Sequence, residues 1–194
     1  MDESVQAVID RVTEAAERHD ATQADRLDRW RVLEPDAGWL LWFLVQAGCA
    51  RRIVEIGTSR GVSTLRLADA ARAVGGRVLS YDIDAAAQRE ARAVLEEAGL
   101  ADHVEFRVED GGRGLAAVGA GEVDLLFLDA ERTEYASWWP HPVRAVRQGG
   151  VLVADNALSH PEEIAPLRAL LDQDPQWVVT TINVGKGELV ALRR

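Results

Sequence analysis

Val123-Asp124-Leu125-Leu126-Phe127-Leu128-Asp129 and Gly150-Val151-Leu152-Val153-Ala154-Asp155-Asn156 are two short, almost wholly apolar runs, each closing on an acid. A strand apolar on both faces belongs inside a parallel sheet that helices cover on either side. Neighbouring parallel strands lie about 4.8 Å apart. Asp129, Asp155 and Asn156, at adjacent carboxyl ends, therefore converge on one small volume, where open α/β sheets bind ligands. Three hard oxygen donors at that spot suit Mg²⁺ or a similar cation. The plainer reading, that Asp155-Asn156 starts a turn, explains either acid alone better than both together.

Outward from these runs, the chain from Arg52 alternates strand and helix patterns, as a doubly wound α/β sheet requires. Strands are expected at 52–56, 77–83, 103–108, 123–129, 150–155, 176–183 and 187–192, and helices at 62–74, 85–98, 111–118, 134–147 and 161–172. Gly185-Lys186-Gly187 between the last two strands is too short for a parallel crossover and suits a hairpin. The expectation is a Rossmann-like, mostly parallel seven-stranded sheet whose last strand is antiparallel, with helices on both faces. Before it, Val5, Val8, Ile9 and Val12 fall at helical spacing within the charged stretch from Glu3 to Arg31, which reads as one or two amphipathic helices. Pro35-Asp36 opens a further helix. Its Trp39, Leu40, Trp42, Phe43 and Val45 read as core, or as the border of a substrate pocket. One domain over 1–194 is expected, with a helical cap at 1–49 and the core at 50–194.

A net charge of −10 over 194 residues argues against a general nucleic-acid-binding surface and favours small neutral or cationic substrates. No apolar run of about 18 residues is present to span a membrane, and Met1-Asp2-Glu3-Ser4 lacks the basic start of a signal peptide. A cytoplasmic protein without a membrane partner is expected. Cys49 is the only cysteine, so no intramolecular disulfide or thiolate metal cluster can form, and its neighbours Leu44, Val45 and Ala47 point to burial. Lys186 is the single lysine, so nearly every cation is arginine.

The strand Arg52-Ile53-Val54-Glu55-Ile56 runs into Gly57-Thr58-Ser59-Arg60-Gly61-Val62-Ser63-Thr64-Leu65. A glycine turn between strand and helix lets backbone approach a ligand, and the free N–H groups of the helix start favour an anion. Three chemistries share this pattern. The dinucleotide fingerprint needs a middle glycine that Gly57-x-x-x-Gly61 lacks. The nucleophile elbow G-x-S-x-G would make Ser59 a hydrolase nucleophile, with His160 or His141 as base. The third reading needs an acid at the end of the next strand to accept both ribose hydroxyls, and Val78-Leu79-Ser80-Tyr81-Asp82 supplies it at the expected separation. Asp82, Asp110, Asp129 and Asp155 then mark four successive strand ends.

These residues resemble the class I S-adenosylmethionine-dependent methyltransferases, and more closely the cation-dependent O-methyltransferases of catechol and caffeoyl-coenzyme A type. The resemblance runs from about Leu33 onward. It rests on Val54-Glu55-Ile56-Gly57-Thr58 with Gly61 and Ser63, on Tyr81-Asp82-Ile83-Asp84, on Phe127-Leu128-Asp129-Ala130 followed by Tyr135, and on Gly149-Gly150-Val151 through Asp155-Asn156. It implies that Glu55, Gly57, Thr58 and Gly61 shape the S-adenosylmethionine loop, Ser63 contacts the methionine carboxylate, Asp82 holds the ribose and Asp110 lies near the adenine. It also implies that Asp129, Asp155 and Asn156 hold a divalent cation such as Mg²⁺, with Asp129 serving donor binding and catalysis as well.

One departure matters. The family usually carries a lysine three positions after the first metal-ligand aspartate, as a base toward the substrate hydroxyl, and here that position is Arg132. A guanidinium stays protonated and has no lone pair for the proton. Arg132 is left either to stabilise a developing phenolate or to pair with Glu131 or Glu134 as a surface charge. His160, four residues after Asn156, is the candidate base if one is needed, and a solvated loop histidine otherwise. Trp138, Trp139 and the helix near Trp39 read as an aromatic wall or as core. The expected partner is a small-molecule hydroxyl acceptor, with a homodimer among the expectations. Methyl transfer to nitrogen or an RNA base, and a module that senses S-adenosylmethionine without turnover, are the alternatives on this scaffold.

Overall fold

A computed structural model describes residues 1–25 and 29–194. Helices α1 (Glu3–Asp20) and α2 (Pro35–Ala47) precede the sheet. The strands are β1 (Arg52–Ile56), β2 (Arg77–Asp82), β3 (Val104–Val108), β4 (Val123–Leu128), β5 (Val146–Ala154), β6 (Trp177–Ile182) and β7 (Glu188–Arg193). Between them run α3 (Val62–Val74), α4 (Ala85–Glu97), α5 (Gly111–Ala117), α6 (His141–Ala145) and α7 (Pro161–Gln173). The sheet order is β3-β2-β1-β4-β5-β7-β6, with β7 antiparallel to both neighbours and the other pairings parallel. This is the expected Rossmann-like architecture.

The sheet is covered on both faces because its central strands are apolar on both. One core joins Ile53, Leu125, Phe127 and Val153 to the buried stripe Val5, Val8, Ile9 and Val12 of α1, Leu41 and Val45 of α2, Leu65 of α3 and Leu95 of α4. The other joins Val54, Leu126, Leu128 and Leu152 to Leu115 of α5, Tyr135, Trp138 and Leu171 of α7. Helix α1 is one helix ending at Asp20, and the remainder of the stretch expected to be helical as far as Arg31 includes residues 26–28, which lie outside the described residues.

Three expectations change. The helix at 134–147 is instead a 3-10 segment at Arg132–Trp138, a cis Trp139-Pro140 bond and the short α6, with β5 already under way at Val146. Pro140 and Pro142 offer no N–H to continue a helical ladder. Cys49 is exposed, not buried: directly after α2 it adopts φ +47° and its Sγ turns back toward the Gln46 carbonyl at 3.8 Å. The tryptophans of α2 do not border the large cavity described below. Trp42 Nε1 donates to Asp69 Oδ2 at 2.9 Å, and Trp39, 39% exposed, receives the Arg66 guanidinium on its ring face.

Candidate active site

The register of the parallel strands creates the site. Ile56 lies beside Tyr81 and Leu128, and Leu128 beside Ala154. The ladder then continues one residue further: Gly57 N donates to Tyr81 O at 2.8 Å, Asp129 N to Ile56 O at 2.9 Å and Asp155 N to Leu128 O at 3.1 Å. Gly57, Asp129 and Asp155 therefore sit side by side. Gly57 has φ +105°, and a Cβ there would overlap the Asp129 carbonyl, so only glycine permits this approach.

Above these ends lies a cavity of about 770 Å³. From the β2 and β3 side its wall carries Gly57, Ser59, Tyr81, Asp82, Ile83, Asp110 and Trp138. From the β4 and β5 side come Asp129, Arg132, Asp155, Asn156, His160 and Lys186, and the segment from Trp30 to Pro35 closes it with Ala16, Glu17 and Asp20 of α1. Among the residues expected at the site, Glu55, Thr58, Gly61 and Ser63 stand behind this wall rather than on it.

Glu55 is fully buried and accepts hydroxyl donors from Ser63 (2.6 Å), Thr64 (2.7 Å) and Ser80 (2.6 Å). Burial, only partly offset by these bonds, pushes its carboxyl up to about 7. Ser63 Oγ is thereby committed to Glu55. Asp82 organises the loop: its Oδ2 accepts from Thr58 N (3.0 Å) and Ser59 N (2.9 Å), and its Oδ1 from Asp84 N (2.9 Å). A carboxylate offers about four lone-pair sites, so capacity remains toward the cavity. Asp110 caps α5, accepting from Arg113 N at 2.9 Å. Ser59 Oγ donates to the Trp30 carbonyl at 3.1 Å. A serine nucleophile needs its hydroxyl against a base, and this one is turned to a carbonyl.

On the acceptor side, acids crowd together. The Asp129 carboxyl is held well above the usual carboxylate range by burial and then by Asp155, and burial raises Asp155 as well. Glu188, at the start of β7, is fully buried and is pushed up to about 10 by burial, then by Asp155, with which it shares a side-chain hydrogen bond, and by Asp129. Asn156, at φ +73°, donates from its amide to Asp155 Oδ2 and presents Oδ1 to Ser159 Oγ at 3.2 Å. Buried carboxyl oxygens short of counter-charge are what a hard divalent cation neutralises. Among the described residues no three His, Cys, Asp or Glu side chains converge as a ligand set. The fitting donors are two carboxylates and an amide, with the other positions left to water or acceptor oxygens.

Arg132 is 6% exposed and directs Nε (2.7 Å) and Nη2 (2.6 Å) to Glu163 Oε2 in the first turn of α7. Its expected partners, Glu131 and Glu134, are thus replaced by Glu163, because the 3-10 segment turns the side chain inward against α7. Tyr135, fully buried, accepts from Ala130 N at 2.7 Å and so anchors the residue after Asp129. His160 occupies the position before α7 without capping it through its side chain, and its Nδ1 lies 2.9 Å from Ser159 Oγ.

The family model described as O-methyltransferase matches residues 12–193. The chain belongs to the O-methyltransferase family. Catechol O-methyltransferase of Mycobacterium tuberculosis is 36% identical over 140 residues, which cover 71% of this chain and 62% of that enzyme. The match thus spans less than two thirds of that relative's length. Caffeoyl-CoA O-methyltransferase of Stellaria longipes is 30% identical over 175 residues, 79% of this chain and 72% of that one. The O-methyltransferase of Streptomyces achromogenes involved in tomaymycin synthesis, solved in complex with S-adenosylmethionine, superposes with a TM-score of 0.75 at 27% identity, covering all of this chain and 90% of that one.

In this O-methyltransferase family member, several residues on the cavity wall or packed behind it escaped the sequence reading. Buried Gln88 ties the loop to two strands, donating to Thr58 Oγ1 (3.1 Å), Ser80 O (3.2 Å) and Arg107 O (2.9 Å). Trp30 closes the cavity between the ring of His19, stacked at 4.2 Å, and the Arg60 guanidinium at 4.3 Å. Glu34, Lys186 and Glu188 complete the charged end. For Lys186 and Glu188 a signal existed: one is the chain's single lysine, the other an acid opening an apolar strand.

Proposed function

We propose that this chain moves the methyl group of S-adenosylmethionine to a hydroxyl of a small molecule, phenolic or catechol-like, assisted by a divalent cation held by Asp129, Asp155 and Asn156. The observation that carries this reading is the juxtaposition, in one cavity of about 770 Å³, of the Gly57 loop with the under-neutralised carboxyls of Asp129 and Asp155. Solved with S-adenosylmethionine, the Streptomyces relative supports the choice of donor, and the catechol relative supports the class of acceptor.

Each residue has a job that its geometry permits. The Gly57 turn and Asp82 seat the donor's nucleoside at the β1 and β2 ends. Asp129 and Asp155 orient the acceptor side, and a bound cation would supply the Lewis acidity that lowers the hydroxyl's pKa. Bringing carbon and oxygen to about 3–3.5 Å then accounts for much of the acceleration. Trp30 and Trp138 restrict water at the cavity wall. Arg132, already shared with Glu163, contributes positive potential rather than proton acceptance.

Mass spectrometry of catechol incubated with the protein and S-adenosylmethionine tests this. Methylated product is expected with Mg²⁺ and is expected to vanish in excess chelator. Asp155→Ala should abolish turnover while retaining S-adenosylhomocysteine binding. Undiminished methylation in chelator would refute the cation's role and leave a metal-independent methyltransferase.

A further inference from the structure

Lys186 occupies the turn between β6 and β7, flanked by Gly185 at φ +52° and Gly187 at φ +91°, and its side chain lines the cavity. Backbone bonds pin this turn onto the loop that carries Asp155 and Asn156: Leu158 N and Ser159 N both donate to the Lys186 carbonyl at 3.0 Å, and Ala157 N donates to Gly187 O at 2.7 Å. The close approach is possible because Gly187 has no side chain, since a Cβ there would press on Leu158. On the other side, Gly185 N donates to Asp36 Oδ2 at 2.9 Å, tying the turn to the start of α2. The ammonium itself is held by Glu34 Oε1 at 2.6 Å.

Nζ is therefore held at Glu34 on the wall of the cavity that Asp129 and Asp155 also line. Arg132, the neighbouring cation of that wall, is committed to Glu163. From that shared wall the Lys186 charge opposes the rise that burial imposes on both Asp129 and Asp155.

We propose that the Lys186 ammonium is the resident counter-ion of Asp129 and Asp155 and competes with a divalent cation for them. This rests on the reading of Asp129, Asp155 and Asn156 as cation ligands. Two cations sharing one pocket repel each other, so the chain holds its cation more weakly than the donor set alone would allow. Lys186 also stays on the acceptor side when the cation binds, because three backbone bonds and one to the Asp36 carboxylate fix its turn.

Mn²⁺ titrated into the protein alone, with free Mn²⁺ read by electron paramagnetic resonance, tests the proposal without any turnover. Lys186→Gln should bind Mn²⁺ about tenfold or more tighter than the parent, equivalent to ~1.4 kcal/mol. Lys186→Arg keeps the charge and should stay within about threefold of the parent. Thermal melts confirm folding of both variants, whose substituted side chain is 35% exposed in the parent. Equal or weaker Mn²⁺ binding by Lys186→Gln overturns the counter-ion role and leaves the cation site standing. No Mn²⁺ uptake by parent or variant overturns both, while failure of the parent to bind S-adenosylhomocysteine would instead strike at the methyl-transfer reading.

Discussion

At the scale of single residues, Glu55 shows how a buried acid can serve structure instead of chemistry. Three hydroxyls converge on it, yet burial still outweighs them and lifts its carboxyl to about 7 from 4.5. An acid whose pKa rises on folding binds its proton more tightly in the folded state. The associated stability is therefore fully present below pH 4.5 and is lost as pH rises toward 7, by ~3 kcal/mol at 1.36 kcal/mol per unit. Glu55→Gln has no such proton to lose. Urea unfolding of the ligand-free protein at pH 4.5 and pH 7 should show the variant gaining roughly that amount relative to the parent between the two. Parallel profiles would mean that the hydroxyl cage holds Glu55 near an ordinary carboxylate value.

At the scale of elements, the stretch after β4 matters most. Pro140 and Pro142 break what the amphipathic pattern reads as a helix, and the resulting 3-10 segment points Arg132 at α7 instead of into solvent. Arg132 and Glu163 thereby clamp two elements that both border the acceptor end of the cavity. Arg132 is almost wholly buried while Glu163 keeps about a third of its side-chain exposure, so the coupling is weaker than for a fully desolvated pair. Arg132→Ala should cost ~1.5–3 kcal/mol, as for a hydrogen bond to a charged group, measured by chemical denaturation. Lys at the same position should recover part of that loss. A variant as stable as the parent would show that Arg132 rests on Glu163 without holding α7. Glu55, Arg132 and Glu163 share one lesson: each side chain's type is visible locally, while its partner is chosen by elements that meet only on folding.

At the scale of the molecule, the cavity is bounded by the carboxyl ends of five strands below and by α1 with the segment from Trp30 to Pro35 above. A ligand that fills it ties the amino-terminal helices to the sheet. S-adenosylhomocysteine at one hundred times its Kd should add ~2.7 kcal/mol of stability, which for a chain of this size raises Tm by about 5–11 °C. Absence of any shift at saturating ligand would remove this cavity as the donor site. Much of the architecture is legible in the chain because strand patterns are local. Apolar runs on both faces require a covered parallel sheet, the glycine turn after β1 requires a ligand or a close neighbour, and an acid closing each run lands at one edge because parallel strands all point the same way. Other features depend on folding. The neighbours of Cys49 are apolar, yet a left-handed turn exposes it. The tryptophans of α2 were as eligible for the cavity as Trp30, which reaches it because Asp20 accepts the Trp30 N–H at 2.7 Å and Ser59 donates to its carbonyl. Lys186 and Glu34 lie far apart in sequence and meet at 2.6 Å only because the last hairpin folds back over the loop after β5. Periodicity and turn chemistry act over a few residues and so determine elements and their polarity, whereas charge pairing acts through space and waits for the sheet to bring the groups together.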